Sequence, residues 1–250
     1  MRFVLYNIRY ATGSGRHHLP FPGFGYLRRT HHRLDRLTEF LTSLDPDIIG
    51  LVEVDLGSYR TSTRRGLPAN QAETIANALG HSHVYSCKYD RRSFNNRLPV
   101  LGKQGNAFIT GHSIAAEKFH YFSRGVKRLI IELELESFCV FLVHLSLGYR
   151  DRQQQLRDLQ ELIDQSDKPV IVAGDFNTFF GEAELYAFLS RTGLRSANRL
   201  AQATFPSHVP RRQLDFIFHD PSITVSDFFI PDVQLSDHLP LVIDFDAPAP

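Results

Sequence analysis

Asp175 and Asn177 follow directly on the apolar run Val170–Ile171–Val172–Ala173 in the stretch PVIVAGDFNTFF. An ionised carboxylate at the end of a water-excluding strand is costly unless a cation or hydrogen bonds compensate it. The same ending recurs along the chain. MRFVLY runs into Asn7, DIIGLV into Glu53 with Asp55 close behind, and CVFLV into His144. On the entering side, Asp215 opens LDFIF, while Asp237 and His238 open LPLVIDF. In a mixed β-sandwich, leaving and entering strands meet on one rim, so these groups can form one cluster despite their separation in sequence.

The composition of that cluster specifies a chemistry. Glu53, with Asn7 and Asp237, offers hard oxygen ligands of the kind Mg²⁺ takes, together with waters and a substrate phosphate oxygen; Mn²⁺ is the expected substitute. Four-cysteine and histidine-rich zinc patterns are absent. Asp215 and His238 read as a carboxylate orienting an imidazole. Asp175 and Asn177, two apart at a strand end, project to the same side and suit one water or one phosphate oxygen. With His144 facing the phosphate, these are the parts needed for in-line attack on phosphorus, with Asp175 or His238 activating the water. Each residue alone has a plainer reading, because Asp and Asn commonly begin turns and a strand-end His is commonly structural. Their repeated attachment to apolar strands is what makes a joint site the stronger reading.

The elements that must position these groups are short and rich in Val, Ile, Leu and Phe. Candidate strands are 2–8, 47–53, 105–110, 128–135, 138–145, 169–174, 214–218 and 240–245. Residues 128–135 and 138–145 form a predicted hairpin about Glu136 and Ser137, and the alternation of Ile131, Leu133 and Leu135 with Glu132, Glu134 and Glu136 predicts one wet face. Helical spacing falls at 30–44, 69–79 and 152–163. Helices interleaved with mixed strands predict two packed sheets covered outside by helices. No repeat or linker divides the chain, so one domain over 1–250 is expected.

At 250 residues, 42% of them hydrophobic, the chain can bury a sizeable core. A net charge of +1 excludes a general basic field, so a polyanion must be held by local patches. Cys87 and Cys139 lie in β-like stretches (HVYSCKY, SFCVFLV) and are expected as reduced thiols. The N-terminus MRFVLYNIRY fits neither a signal peptide nor a membrane span, and no apolar segment approaches the roughly 20 residues a span needs. A cytoplasmic protein is the expectation.

The sequence resembles the endonuclease/exonuclease/phosphatase superfamily, which includes deoxyribonuclease-like and sphingomyelinase-like enzymes. The matching stretches, in the family's order, are YNIRY, LVEVD, GNAFIT, VHLSL, GDFN, LDFIF and SDHLP. LVEVD departs from the commoner LQEV by Val52, which leaves the carboxylate of Glu53 in place. The resemblance implies a four-layer α/β/β/α sandwich and Mg²⁺-dependent phosphoester hydrolysis. It implies Glu53 as principal metal ligand assisted by Asn7, with Asp237 near the metal or the attacking water. It also implies His144 at the scissile phosphate, Asp175 and Asn177 positioning the nucleophile, and Asp215 paired with His238.

Substrate identity is less legible. Arginine doublets at Arg28–Arg29, Arg64–Arg65, Arg91–Arg92 and Arg211–Arg212 suit phosphate contacts, and Arg91, Arg92 and Asn106 are the expected substrate-binding positions. The aromatic loop 11–32, with Phe21, Phe24 and Tyr26, suits base stacking, a lipid interface or simple edge packing; its His17–His18 and His31–His32 pairs lack ligand spacing. The expected partner is a phosphate-containing substrate, nucleic acid ahead of a phospholipid or inositol phosphate. A non-catalytic binding module on the same fold is the alternative of a different class.

Overall fold

The computed structural model describes residues 1–14, 31–58, 70–88, 101–125 and 127–248, with His31, His32 and Leu101 described by their backbone alone. One sheet holds β1 (Arg2–Asn7), β2 (Ile48–Asp55), β3 (Ser82–Cys87), β4 (Gln104–Thr110), β11 (Thr224–Phe229) and β12 (Leu241–Asp246), in the order β11-β12-β1-β2-β4-β3. The other holds β5 (Ala116–Tyr121), β6 (Leu129–Glu134), β7 (Cys139–His144), β8 (Val170–Asp175), β9 (Arg195–Ser196) and β10 (Asp215–His219), in the order β5-β6-β7-β8-β10-β9. The pairs β1–β2 and β7–β8 are parallel and the other pairs antiparallel, so both sheets are mixed.

The central strands are apolar on both faces because both faces are covered. In β1, Phe3 and Leu5 enter the core between the sheets while Val4 and Tyr6 face a helical layer. In β7, Val140 and Leu142 face inward while Phe141 and Val143 face the other helical layer. Alternation at period two thus survives, but between two dry environments rather than between core and water. Helices α1 (His31–Ser43) and α2 (Gln71–Leu79) cover the first sheet with Leu34, Leu37, Leu41, Ala72, Ile75 and Ala76. Helices α3 (Tyr149–Ile163) and α4 (Tyr186–Thr192) cover the second with Leu156, Leu159, Ile163 and Phe188. Asn70 caps α2 by accepting the Ala72 N–H at 3.0 Å, and Gly80 ends that helix at φ 69°. The result is the expected helix–sheet–sheet–helix sandwich.

Three features depart from the sequence reading. Glu132 does not stand on a wet face: it is 7% exposed, with Lys118 Nζ at 2.8 Å and His120 Nε2 at 2.7 Å from its carboxylate. Both partners come from β5, a largely polar edge strand absent from the predicted set. Strands β9 and β11 and helix α4 were likewise unpredicted, because short or edge elements carry little apolar periodicity. Cys87 and Cys139 are free thiols, and burial pushes both pKa values up. Among the described residues no helix is long and apolar enough to cross a membrane.

Gly174 lets β7 and β8 approach just before Asp175. A Cβ built there would lie 2.0 Å from the Val143 carbonyl oxygen, a backbone atom held in the parallel ladder. Gly174→Ala is therefore expected to cost about 3 kcal/mol or more of stability, at or above the upper end for overpacking. A chemical-denaturation midpoint equal to wild type would refute that close approach.

Candidate active site

The parallel pairing of β7 with β8 sets His144 opposite Asp175, and the antiparallel pairing of β8 with β10 sets Asp175 opposite Asp215. Three neighbouring strands thereby bring three sequence-distant polar residues side by side. The first sheet contributes from across the sandwich: Asn7, at the end of β1, donates from Nδ2 to Asp175 Oδ2 at 3.0 Å. Its Oδ1 accepts the Arg9 N–H at 3.1 Å.

Glu53 is aimed by an irregularity in β2. The register with β4 shifts between Leu51 and Val54, and Glu53 sits at φ 58°. A left-handed non-glycine residue costs on the order of 1 kcal/mol, and such strain gathers at functional sites. Asn106, on β4, stabilises the turn by accepting the Glu53 N–H at 3.3 Å, so it is placed to position this carboxylate. Asn177 at φ 51° fastens the other side, its N–H on Asp175 Oδ1 at 3.0 Å and its Nδ2 on the Leu145 carbonyl at 3.0 Å.

His238 completes the network. Its Nδ1 lies 2.8 Å from Asp215 Oδ2, which also accepts the Thr204 hydroxyl at 2.6 Å, and its Nε2 lies 3.9 Å from Asp175 Oδ2. His144 Nε2 is 3.2 Å from that same Asp175 oxygen and 3.9 Å from Glu53 Oε1. Burial alone would lower the His238 pKa, but Asp215, Asp175 and Asp237 outweigh it and raise the value to about 10. Burial, assisted by the Lys127 charge, lowers that of His144. Burial opposes ionisation of Asp175, yet His144 and His238 overcome it and hold the group well below the usual carboxylate range. Asp215 and Asp237 are both shifted upward, chiefly by burial.

The structure thus gathers Asn7, Glu53, Asn106, His144, Asp175, Asn177, Asp215, Asp237 and His238 on one rim. Asp237 also pairs with Arg9, its Oδ2 3.2 Å from Arg9 Nε. Arg28–Arg29, Arg64–Arg65, Arg91–Arg92 and residues 15–30 of the aromatic loop 11–32 lie outside the described residues. Sequence reasoning missed Lys127, whose Nζ contacts His144 Nε2 and lies 3.9 Å from Glu53 Oε1. It stands two residues before β6, so the rule that picked out polar residues at strand starts would have flagged it. Thr204 and Arg9 were also missed, since each acts through a partner remote in sequence.

A divalent cation fits this chemistry. Glu53 is largely buried, and no hydrogen bond to its carboxylate oxygens is found among the described residues; Lys127 Nζ and His144 Nε2 each stand 3.9 Å from Oε1, and Lys88 feels its charge. Asn7 and Asp237 add oxygen atoms beside it. Asp175, Asp215 and His238 also offer ligand atoms within 4.8 Å of one another, and Asp215 Oδ1 is buried without a partner. Oδ2 of each Asp in this second group is already hydrogen-bonded, and Asn7 Oδ1 and Asp237 Oδ2 are engaged by Arg9, so among the described residues Glu53 is the carboxylate of the rim with the least hydrogen bonding.

A strained carboxylate thus faces an Asp–His network on the rim of a four-layer sandwich. The chain belongs to the Endonuclease/Exonuclease/phosphatase family, whose model matches residues 4–238. It is 28% identical over 186 residues to a UPF0294 protein of Erwinia tasmaniensis, an alignment covering 72% of this chain and 59% of that relative's own length. Its fold is similar to that of an endonuclease/exonuclease/phosphatase family protein from Leptotrichia buccalis, with TM-score 0.72, 18% identity and coverage of 98% and 99% of the two chains. It is also similar to the human Nocturnin catalytic domain, solved with a bound sulfate anion, with TM-score 0.66, 20% identity and coverage of 99% and 93%.

Proposed function

We propose that the protein is a Mg²⁺-dependent phosphodiesterase acting by in-line attack of water, with nucleic acid as its substrate class. One observation carries the reading: Asn7, Asp175, His144, His238 and Asp215 make one contact network spanning both sheets, beside the half-buried Glu53 carboxylate, whose oxygens take no hydrogen bond among the described residues. Glu53, with Asn7 and Asp237, would hold the cation, which when bound supplies charge stabilisation at a phosphoryl oxygen.

The protein's own groups divide the remaining work. Asp175, ionised between two imidazoles and fixed by Asn7 and Asn177, accepts the proton of the attacking water. His238, held by Asp215 with its Nε2 turned toward Asp175, donates to the phosphoryl group. His144 and Lys127 place two further nitrogen groups on the same side, where negative charge grows in the transition state. Lys127→Met is expected to lower kcat/KM by about 100-fold, the scale of one lost charge-stabilising donor. The test of the whole reading is hydrolysis of single- and double-stranded DNA, RNA, sphingomyelin and phosphoinositide vesicles with Mg²⁺. Turnover of a nucleic acid, falling steeply with salt, supports it; turnover of lipid alone, or of nothing, refutes it.

Residues behind the rim set the geometry. Arg152, 1% exposed at the start of α3, contacts Glu184 and donates to the carbonyls of Ser146 and Leu147 at 3.0 and 2.9 Å. Glu184 in turn accepts the N–H groups of Phe179 and Phe180 at 2.6 and 3.0 Å. The pair ties the segment after His144 to the segment after Asn177. Arg152→Met is expected to cost about 3 kcal/mol, because the largely buried Glu184 side chain keeps its two N–H donors but loses its counter-charge. The double variant Arg152→Met/Glu184→Gln should recover part of that loss in denaturation, and additive losses would refute the coupling.

A further inference from the structure

On the side of the rim beyond Asn177, the surface carries large apolar side chains in water: Phe180 is 81% exposed, Tyr186 76%, Tyr149 59% and Phe179 46%. A run of exposed aromatics beside a candidate catalytic rim is more than scattered surface hydrophobicity. Two of them, Tyr149 and Phe179, are linked toward the site by arginine contacts and one backbone bridge. The Arg152 guanidinium lies 5.9 Å from the Tyr149 ring centre and 5.8 Å from that of Phe179. Arg212 lies over the other exposed ring contact, 5.5 Å from the centre of Phe179. Arg212 also bridges in β fashion to Phe205, whose ring centre is 4.9 Å from that of His238. The ledge therefore lies beside the imidazole network, joined to it through the Phe205–Arg212 backbone bridge.

From this arrangement we infer that the ledge is a subsite for unpaired bases of a single-stranded nucleic acid, which leaves the scissile phosphate at His144 and His238; the inference rests on the phosphodiesterase reading. Bases and aromatic rings stack regardless of base identity, and arginines between them meet the backbone phosphates. Arg150, Arg211 and Arg212 are exposed and supply that charge on a protein with no general basic field. A duplex presents no free base faces, so the ledge selects unpaired strands or frayed ends. A lipid surface fits less well. The exposed tips are mainly rings with arginines near them rather than an aliphatic wedge.

The test is binding of a labelled single-stranded oligonucleotide followed by fluorescence anisotropy in EDTA, so that failure of catalysis and failure of the ledge are read separately. Phe180→Ala/Tyr149→Ala is expected to weaken binding by at least tenfold. Binding of a sugar–phosphate strand of the same length without bases should not change. Phe180→Trp should restore affinity, and a wild-type circular dichroism spectrum and melting temperature would confirm folding of each variant. Arg212→Gln should weaken both strands alike and flatten the salt dependence. Wild-type affinity in the double variant overturns the proposal. Equal loss on the base-free strand does so too, as does loss confined to binding of phosphatidylcholine/phosphatidylserine vesicles.

Discussion

Asp175→Ala is expected to reduce kcat on a phosphodiester by about 10³–10⁴-fold, the scale on which removal of one member of a proton-transferring network is felt. Asp175 stands at four junctions of the site. Its Oδ2 receives the Asn7 amide at 3.0 Å, lies 3.2 Å from His144 Nε2 and faces His238 Nε2 at 3.9 Å, while its Oδ1 holds the Asn177 N–H. The substitution removes the acceptor and also frees both imidazoles to reorient. Asp175→Asn separates the two effects, since it keeps the shape but cannot accept a proton as a carboxylate does. Both variants should be inactive in stopped assays with unchanged near-ultraviolet circular dichroism. An Asp175→Asn enzyme within tenfold of wild type would refute the assignment of Asp175 as proton acceptor and move that role to His238.

Glu53→Gln should be nearly as severe. Loss of about 4 kcal/mol of charge stabilisation corresponds to roughly a thousandfold in rate. EDTA should abolish turnover in the wild type and Mg²⁺ should restore it, whereas Glu53→Gln should stay inactive across the same titration. The readout independent of turnover is thermal. Mg²⁺ should raise the wild-type melting temperature by binding the folded state, with little shift in the variant. Removing the charge beside Lys127 and His144, both 3.9 Å away, should not unfold the protein, because neither contact is a close ion pair. A Glu53→Gln variant that binds Mg²⁺ and turns over normally would place the cation elsewhere, with the Asp175–Asp215–His238 group the remaining candidate.

The sequence alone carried the sandwich and the polar ends of its strands. Runs such as VLY before Asn7 and IVAGD at Asp175 mark strands buried on both faces, and a polar residue there has to be compensated. Layers covering both faces then follow from that burial, since exposing either face would be costly. What the sequence could not show were contacts between residues far apart in number whose types are ordinary. Lys127 is a commonplace charged residue before a strand until β6 and β7 bring it to His144, 17 positions on. Glu132 reads as solvent-facing until polar β5 covers it with Lys118 and His120.

The tertiary structure also decided direction. It turned Glu53 through a left-handed kink, set Asp237 against Arg9, and left the Phe179–Phe180 segment exposed beside the rim. Sequence specifies which residues a strand must bury because burial acts on each residue by its own chemistry. Which polar groups then meet depends on sheet order and register, properties of pairs of strands that no single strand contains.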